Sequence, residues 1–99
     1  MVHEIARLVI DPARAEAFEA AVAGCAEHFR QASGCRSMRL ERQVEDPAIY
    51  LLVVGWDSVE DHMVGFRESE GFAAWRAAAG PFFVEPPQVS HVELAADCF

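Results

Sequence analysis

Y-L-L-V-V-G-W-D-S-V-E-D-H-M-V-G-F-R-E-S-E-G-F-A-A-W, residues Tyr50 to Trp75, is the stretch whose reading decides the fold. Its first part is apolar at successive positions, as a strand must be when both faces of its sheet are covered. Asp57-Ser58 then breaks the run, and Ser58 with Asp61 three residues on forms an approximate capping box that opens a helix. That helix carries Met63, Phe66, Phe72 and Trp75 on its apolar side, with Gly65 weakening it and Ser69-Glu70-Gly71 bending or restarting it. So many rings on one short helix exceed what sealing a small core requires. They predict a ring-lined pocket between strand and helix.

Working outward, Val2–Ile10 alternates loosely and reads as a first strand. Asp11-Pro12 starts a helix over Ala13–Gln31, with Phe18, Val22, Cys25 and Phe29 as its buried stripe and Ser33-Gly34 as its stop. Ser37–Val44 alternates, with Met38, Leu40 and Val44 on one face and Arg42 interrupting it. Glu45-Asp46-Pro47 is a hairpin turn into the strand Ile49–Trp56. The second helix runs to Ala79 and stops at Gly80-Pro81. Phe82–Pro87 reads as a loop with two exposed rings, Gln88–Ala95 as the last strand and 96–99 as a tail.

The order β-α-β-β-α-β defines an α+β fold. It is a ferredoxin-like split sandwich, a four-stranded antiparallel sheet with helices on one face, in a single domain over 1–99. Ile49–Trp56 needs cover on both faces, yet no element remains for the second. The sheet is therefore expected to meet the sheet of an identical chain, as a homodimer. A hydrophobic fraction of 53% supports this, because a domain of this size buries only about two-thirds of its unfolded surface alone.

The net charge of -8, from 16 acids and 8 bases, argues against nucleic acid and against anionic membranes as partners. All the bases are arginines; with no lysine, Schiff-base and lysine-nucleophile chemistry is excluded. Cys25, Cys35 and Cys98 lack CxxC spacing, and no two histidines share ligand spacing, so neither a disulfide framework nor a metal site is expected. With no leader or membrane-spanning run visible, the reading is a soluble cytoplasmic protein.

Gly34, Glu45-Asp46-Pro47, Trp56-Asp57-Ser58, Gly65-Phe66-Arg67, Phe72, Trp75-Arg76, Gly80-Pro81-Phe82-Phe83 and Pro86-Pro87 leading to Val89 and His91 form a recognisable combination. On these residues the chain resembles an antibiotic-biosynthesis-monooxygenase (ABM) domain of the dimeric α/β-barrel superfamily, from Val2 to about Leu94. The resemblance implies a dimeric α/β barrel, and an activity drawn from relatives that include cofactor-free oxygenases of phenols or quinols and haem-degrading enzymes. Haem-degrading relatives carry an Asn on the first strand and a ligating His on the second helix. Here V-H-E-I-A-R-L-V-I has no Asn and Ala74-Trp75-Arg76 no His, so no cofactor is expected. Many relatives have His or Trp where Phe66 falls. Here the nearest His is His62, one turn earlier, and the spacing after Trp56 is one residue longer.

The resulting expectation is a cofactor-independent monooxygenase acting on a small aromatic, phenolic or quinol substrate. Phe18, Val22, Phe66, Phe72 and Trp75 would form the cleft. His62 would accept a proton, and Tyr50 or Arg42 would bind the oxyanion. Each residue has a plainer reading beside this one. The rings fit simple core packing. Trp75 fits it too, provided its indole N–H finds an acceptor. His62, beside Glu60 and Asp61, fits a solvated helix face. Tyr50 ends its side chain in water, Arg42 pairs with Glu93 across the sheet, and His91 belongs to a dimer contact. A non-catalytic binding or scaffold dimer and a cofactor-free isomerase are the alternative functions.

Overall fold

The computed structural model describes residues 1–99. Strand β1 (Val2–Val9) leads through Asp11 into helices α1 (Ala15–Gly24) and α2 (Ala26–Arg30), then strands β2 (Cys35–Arg42) and β3 (Ile49–Trp56). A π-helical segment (Asp61–Phe66) and helix α3 (Glu70–Ala79) precede β4 (Gln88–Val92). The sheet is antiparallel in the order β2-β3-β1-β4, the ferredoxin-like α+β arrangement. No helix is long and apolar enough to cross a membrane.

The local signals act as expected at most boundaries. Asp11 accepts the Ala13 N–H at 3.0 Å and starts the first helical turn. Asp46 accepts from Ala48 N through its side chain and from Ile49 N through its carbonyl, closing the β2–β3 hairpin. Gly34 takes φ of 82°, a conformation that disfavours a side chain, and an added Cβ would strike the Asp61 carboxylate. The turn before β2 is thus packed directly on the start of the π-helical segment.

Three departures are informative. The first helix breaks at Cys25 into α1 and α2. Strands β2 and β4 end sooner than alternation suggests, leaving Val44 91% exposed beyond β2. The third lies between Ser58 and Ser69. Here the chain forms a widened turn, in which Arg67 N–H donates to the His62 carbonyl five residues back. This turn presents His62 and Phe66 to the interior and leaves Met63 39% exposed, the reverse of the expected placement for His62 and Met63.

The core lies between the sheet and the helices. Ala6, Leu8 and Ile10 of the first strand and its extension and Tyr50, Leu52, Val54 and Trp56 of β3 point into it. Phe18 is its centre, fully buried and edge-on to Tyr50 at 5.1 Å. Phe82 and Phe83 are not exposed rings; they are half-buried, with centroids 5.7 and 6.4 Å from Phe18. The loop carrying them is tied to the end of β1 by Val84 N–H donating to Val9 O at 2.8 Å. The opposite residues of the strands, among them Ile5, Leu51 and Val53, lie on the face without helices.

Phe18→Ala removes a ring that no side-chain rearrangement nearby can replace. It is expected to lower the unfolding free energy by about 3–5 kcal/mol, measurable by equilibrium urea denaturation.

Candidate functional site

Glu4 is the residue from which the site is built. It occupies the helix-facing register of β1, in step with Ala6 and Leu8, and is 5% exposed. A carboxylate in such a place requires donors. Trp56, at the end of β3, donates its indole N–H to Glu4 Oε1 at 3.1 Å. His62, brought inward by the π-helical turn, places Nε2 at 3.2 Å from the same oxygen. Its ring also stacks on Trp56, with centroids 5.2 Å apart and planes 16° apart.

The chain continues to β4. His91 is the antiparallel partner of Glu4 in the sheet, and its Nε2 lies 2.8 Å from His62 Nδ1. His62 Nε2 thus meets the Glu4 carboxylate in a close polar contact, and His62 Nδ1 shares one hydrogen with His91 Nε2. The three groups lie in series, Glu4 to His62 to His91.

Burial sets the electrostatics. It pushes the Glu4 carboxyl up, against the opposing effects of the Trp56 N–H and the nearby Arg67 charge. His62 is pushed down to about 4, first by burial and then by His91 and Arg67. At neutral pH His62 is therefore a neutral imidazole in polar contact with the Glu4 carboxylate. His91, half-buried, is lowered chiefly by burial and further by Arg67.

Above this chain lies a cleft of about 600 Å³ between the sheet and α3. Glu4 and His62 form part of its floor, Phe72, Trp75 and Phe83 supply rings, and Arg67 and Arg76 flank them. Glu4 Oε2 takes no hydrogen bond within the chain, and no buried polar side-chain atom is left without a partner, so this oxygen is accessible from the cleft. The same reasoning makes the Trp75 N–H accessible.

The residues singled out from sequence divide between two places. His62, Phe72 and Trp75 line this cleft, whereas Phe18 and Phe66 are core side chains behind it. Val22, Tyr50 and Arg42 line a separate, shallower cleft between α1 and β2 that shares no residue with the first. There the Tyr50 hydroxyl does not end in water; it donates to Glu19 Oε2 at 2.5 Å. Burial, reinforced by Glu19, pushes Tyr50 up to about 12. Arg42 does not reach Glu93: its Nε donates to the Pro47 carbonyl at 2.9 Å, and its guanidinium lies 5.3 Å from the Tyr50 ring centroid. The solvated-face reading of His62 is likewise corrected, since the residue is 2% exposed.

Glu4 is missing from the sequence-based site; its only trace there is a lone acid in the buried register of β1, which pairs across the strands with Val54, two residues before the indole of Trp56. The sequence marks His91 but not its partner His62.

The chain is a small α+β protein of ferredoxin-like fold, with a ring-lined cleft over a buried carboxylate and imidazole. Comparison with known proteins gives the family. Residues 1–78 match the sequence model of the antibiotic biosynthesis monooxygenase family. The chain is 33% identical over 93 residues to the uncharacterized protein YczJ of Bacillus subtilis, covering 94% of this chain and 98% of that one. A crystal structure from Bordetella bronchiseptica bearing the family name is 43% identical, with a TM-score of 0.93 over 96% of this chain and 97% of its own. Another from Caulobacter crescentus shares the fold at 22% identity and a TM-score of 0.82, covering 96% and 90%. The chain belongs to the antibiotic biosynthesis monooxygenase family.

The depressed His62 value has a consequence for stability. The unfolded chain binds a proton on this residue near 6.5 while the folded chain resists it to about 4, so its contribution to stability is lost as pH falls through that window. Glu4 acts oppositely, because its raised value favours the folded state at low pH. In a Glu4→Gln background, where His62 is the one titrating member left of the Glu4–His62 pair, its own contribution to stability is expected to fall by up to about 3 kcal/mol between pH 6.5 and 4. A further His62→Phe change should abolish that component in urea titrations across the same range.

Proposed function

We propose that this protein is a cofactor-independent monooxygenase acting on a small aromatic phenol or quinol held in the cleft beneath α3. The observation that carries the reading is the Glu4–His62–His91 chain at the floor of a ring-lined cleft. Membership of the family supports the reaction type. The substrate's aromatic character is supported by Phe72, Trp75 and Phe83.

In this reading the Glu4–His62 pair accepts one proton. Glu4 Oε2 faces the substrate, while His62 and Trp56 hold the other oxygen, and His91 orients His62. Burial raises the basicity of the carboxylate, suiting it to a weakly acidic phenol or enol. The ionised substrate is electron-rich and itself reduces molecular oxygen. One oxygen atom enters the substrate as a carbonyl, replacing two hydrogens, and the other leaves as water. Substrate supplies all four electrons that the oxygen molecule takes up, so the protein needs only to position, desolvate and deprotonate.

Oxygen uptake with a panel of anthrones and hydroquinones tests this. Glu4→Gln is expected to lower kcat by about 100-fold or more, and Trp75→Ala to raise KM. Uptake by the native protein no greater than that of a Glu4→Gln, His62→Ala double variant would refute the proposal.

We further propose that the face of the sheet without helices is covered by a second copy of the chain. Ile5 and Leu51 are half-buried apolar residues on this face of the two central strands, beside the buried Val53, as sheet-on-sheet packing requires. Light scattering is expected to give twice the 10.9 kDa chain mass at micromolar concentration. Leu51→Arg should shift the protein to a monomer, and a native monomer would rule out the interface.

A further inference from the structure

The eight arginines are not equivalent. Arg7, Arg30, Arg36 and Arg39 each pair with a carboxylate, at 3.3, 2.7, 2.6 and 3.4 Å. Arg14 and Arg42 donate to the carbonyls of Pro81 and Pro47. The guanidiniums of Arg67 and Arg76 alone make no ion pair and no hydrogen bond within the chain. Both line the same cleft, and both lie over the same ring, with guanidinium carbons 5.6 and 6.0 Å from the Phe72 centroid.

This is unusual in a chain with 16 acids and only 8 bases. Ample carboxylates exist to neutralise both guanidiniums, and Glu68 and Glu70 are close in sequence, yet none does so. Glu4, the acid that feels the Arg67 charge, is committed to Trp56 and His62. The two like charges share one ring, and Glu4 acts on Arg67 only at a distance, without an ion pair. An anion between them would gain charge-assisted hydrogen bonds from two planar forks. The Trp75 N–H adds a neutral donor to the same cleft.

We infer that the cleft takes an aromatic ligand carrying a carboxylate, with its rings against Phe72 and Trp75 and its anionic group held by Arg67 and Arg76. The inference rests on the aromatic-cleft reading above and adds to it a charge. It also fixes an orientation. The carboxylate is drawn to the arginines, which leaves the far part of the ring system to meet Glu4, where a second anion would be repelled.

The test is calorimetric titration of the full chain with two probes of the same ring system, 1-naphthol and 1-hydroxy-2-naphthoate, at neutral pH and low salt. The carboxylate probe is expected to bind about tenfold more tightly. High salt should reduce that ratio, and an Arg67→Gln, Arg76→Gln variant should bring it close to one. An Arg67→Lys, Arg76→Lys variant, which keeps the charges, should retain part of it and so separates loss of charge from loss of fold. Equal binding of the two probes by the native protein would overturn the anionic class while leaving the aromatic cleft in place. A preference that survives the glutamine variant would overturn the assignment to these arginines. No binding of either probe at millimolar concentration would overturn both this inference and the reading it rests on.

Discussion

A carboxylate buried on the apolar face of a sheet is the constraint around which this molecule is arranged. Glu4 is deprived of water by the helices that cover β1, and such a group must be given hydrogen-bond donors or lose its charge. Its polar contacts come from distant parts of the chain, Trp56 at the end of β3 and His62 on the π-helical turn. Meeting that need stacks indole on imidazole and draws the segment after Trp56 down onto the sheet. It also places His62 where the residue paired with Glu4 across the strands, His91, can complete the chain. The cleft is bounded by what this arrangement leaves open: Glu4 Oε2 below, and the rings of α3 and its following turn above.

The widened turn at Asp61–Phe66 is the local device that makes this work. An ordinary α-helical turn in its place would bring a different side chain over Glu4. The turn closes through a hydrogen bond spanning five residues, and π-helical turns of this kind are frequent at functional sites. Gly34 belongs to the same device. Its positive φ and missing side chain let the turn before β2 press against Asp61, while Ser58 receives the Asp61 N–H and donates to its carboxylate. The segment is therefore fixed at its start by β2 and at its middle by Glu4.

The fold was legible in the sequence because its signals are local. Asp11, Asp46-Pro47, Gly34 and Ser69 each act through hydrogen bonds or backbone angles set within a few residues, and strand alternation needs no knowledge of partners. The site was legible only in part. Phe72 and Trp75 follow helical spacing and fall where that spacing puts them. His62 does not, because its direction depends on the π-helical turn. The pairing of Glu4 with Trp56 joins residues 52 positions apart, and that of His62 with His91 spans 29; periodicity carries no information at that range. Tyr50 and Arg42 show the opposite failure. Their types suit an oxyanion site, but the register of β3 and the curl of the β2–β3 hairpin turn them to the other end of the helix layer.

Strand β1 links the two surfaces of the sheet residue by residue. Its position in the order β2-β3-β1-β4 puts it between two hydrogen-bonded neighbours, so its backbone cannot shift without shifting theirs. Glu4, Ala6 and Leu8 face the cleft, while His3, Ile5 and Arg7 face away. Whatever rests on Ile5 thus bears on the peptide units that hold Glu4. Because strand alternation has a period of two, a one-residue slip would exchange the faces, carrying the carboxylate out of its pocket and an isoleucine into it. The contacts from Trp56 and His62 favour only the native register. The buried carboxylate therefore helps to fix the alignment of the strand that presents it to the cleft.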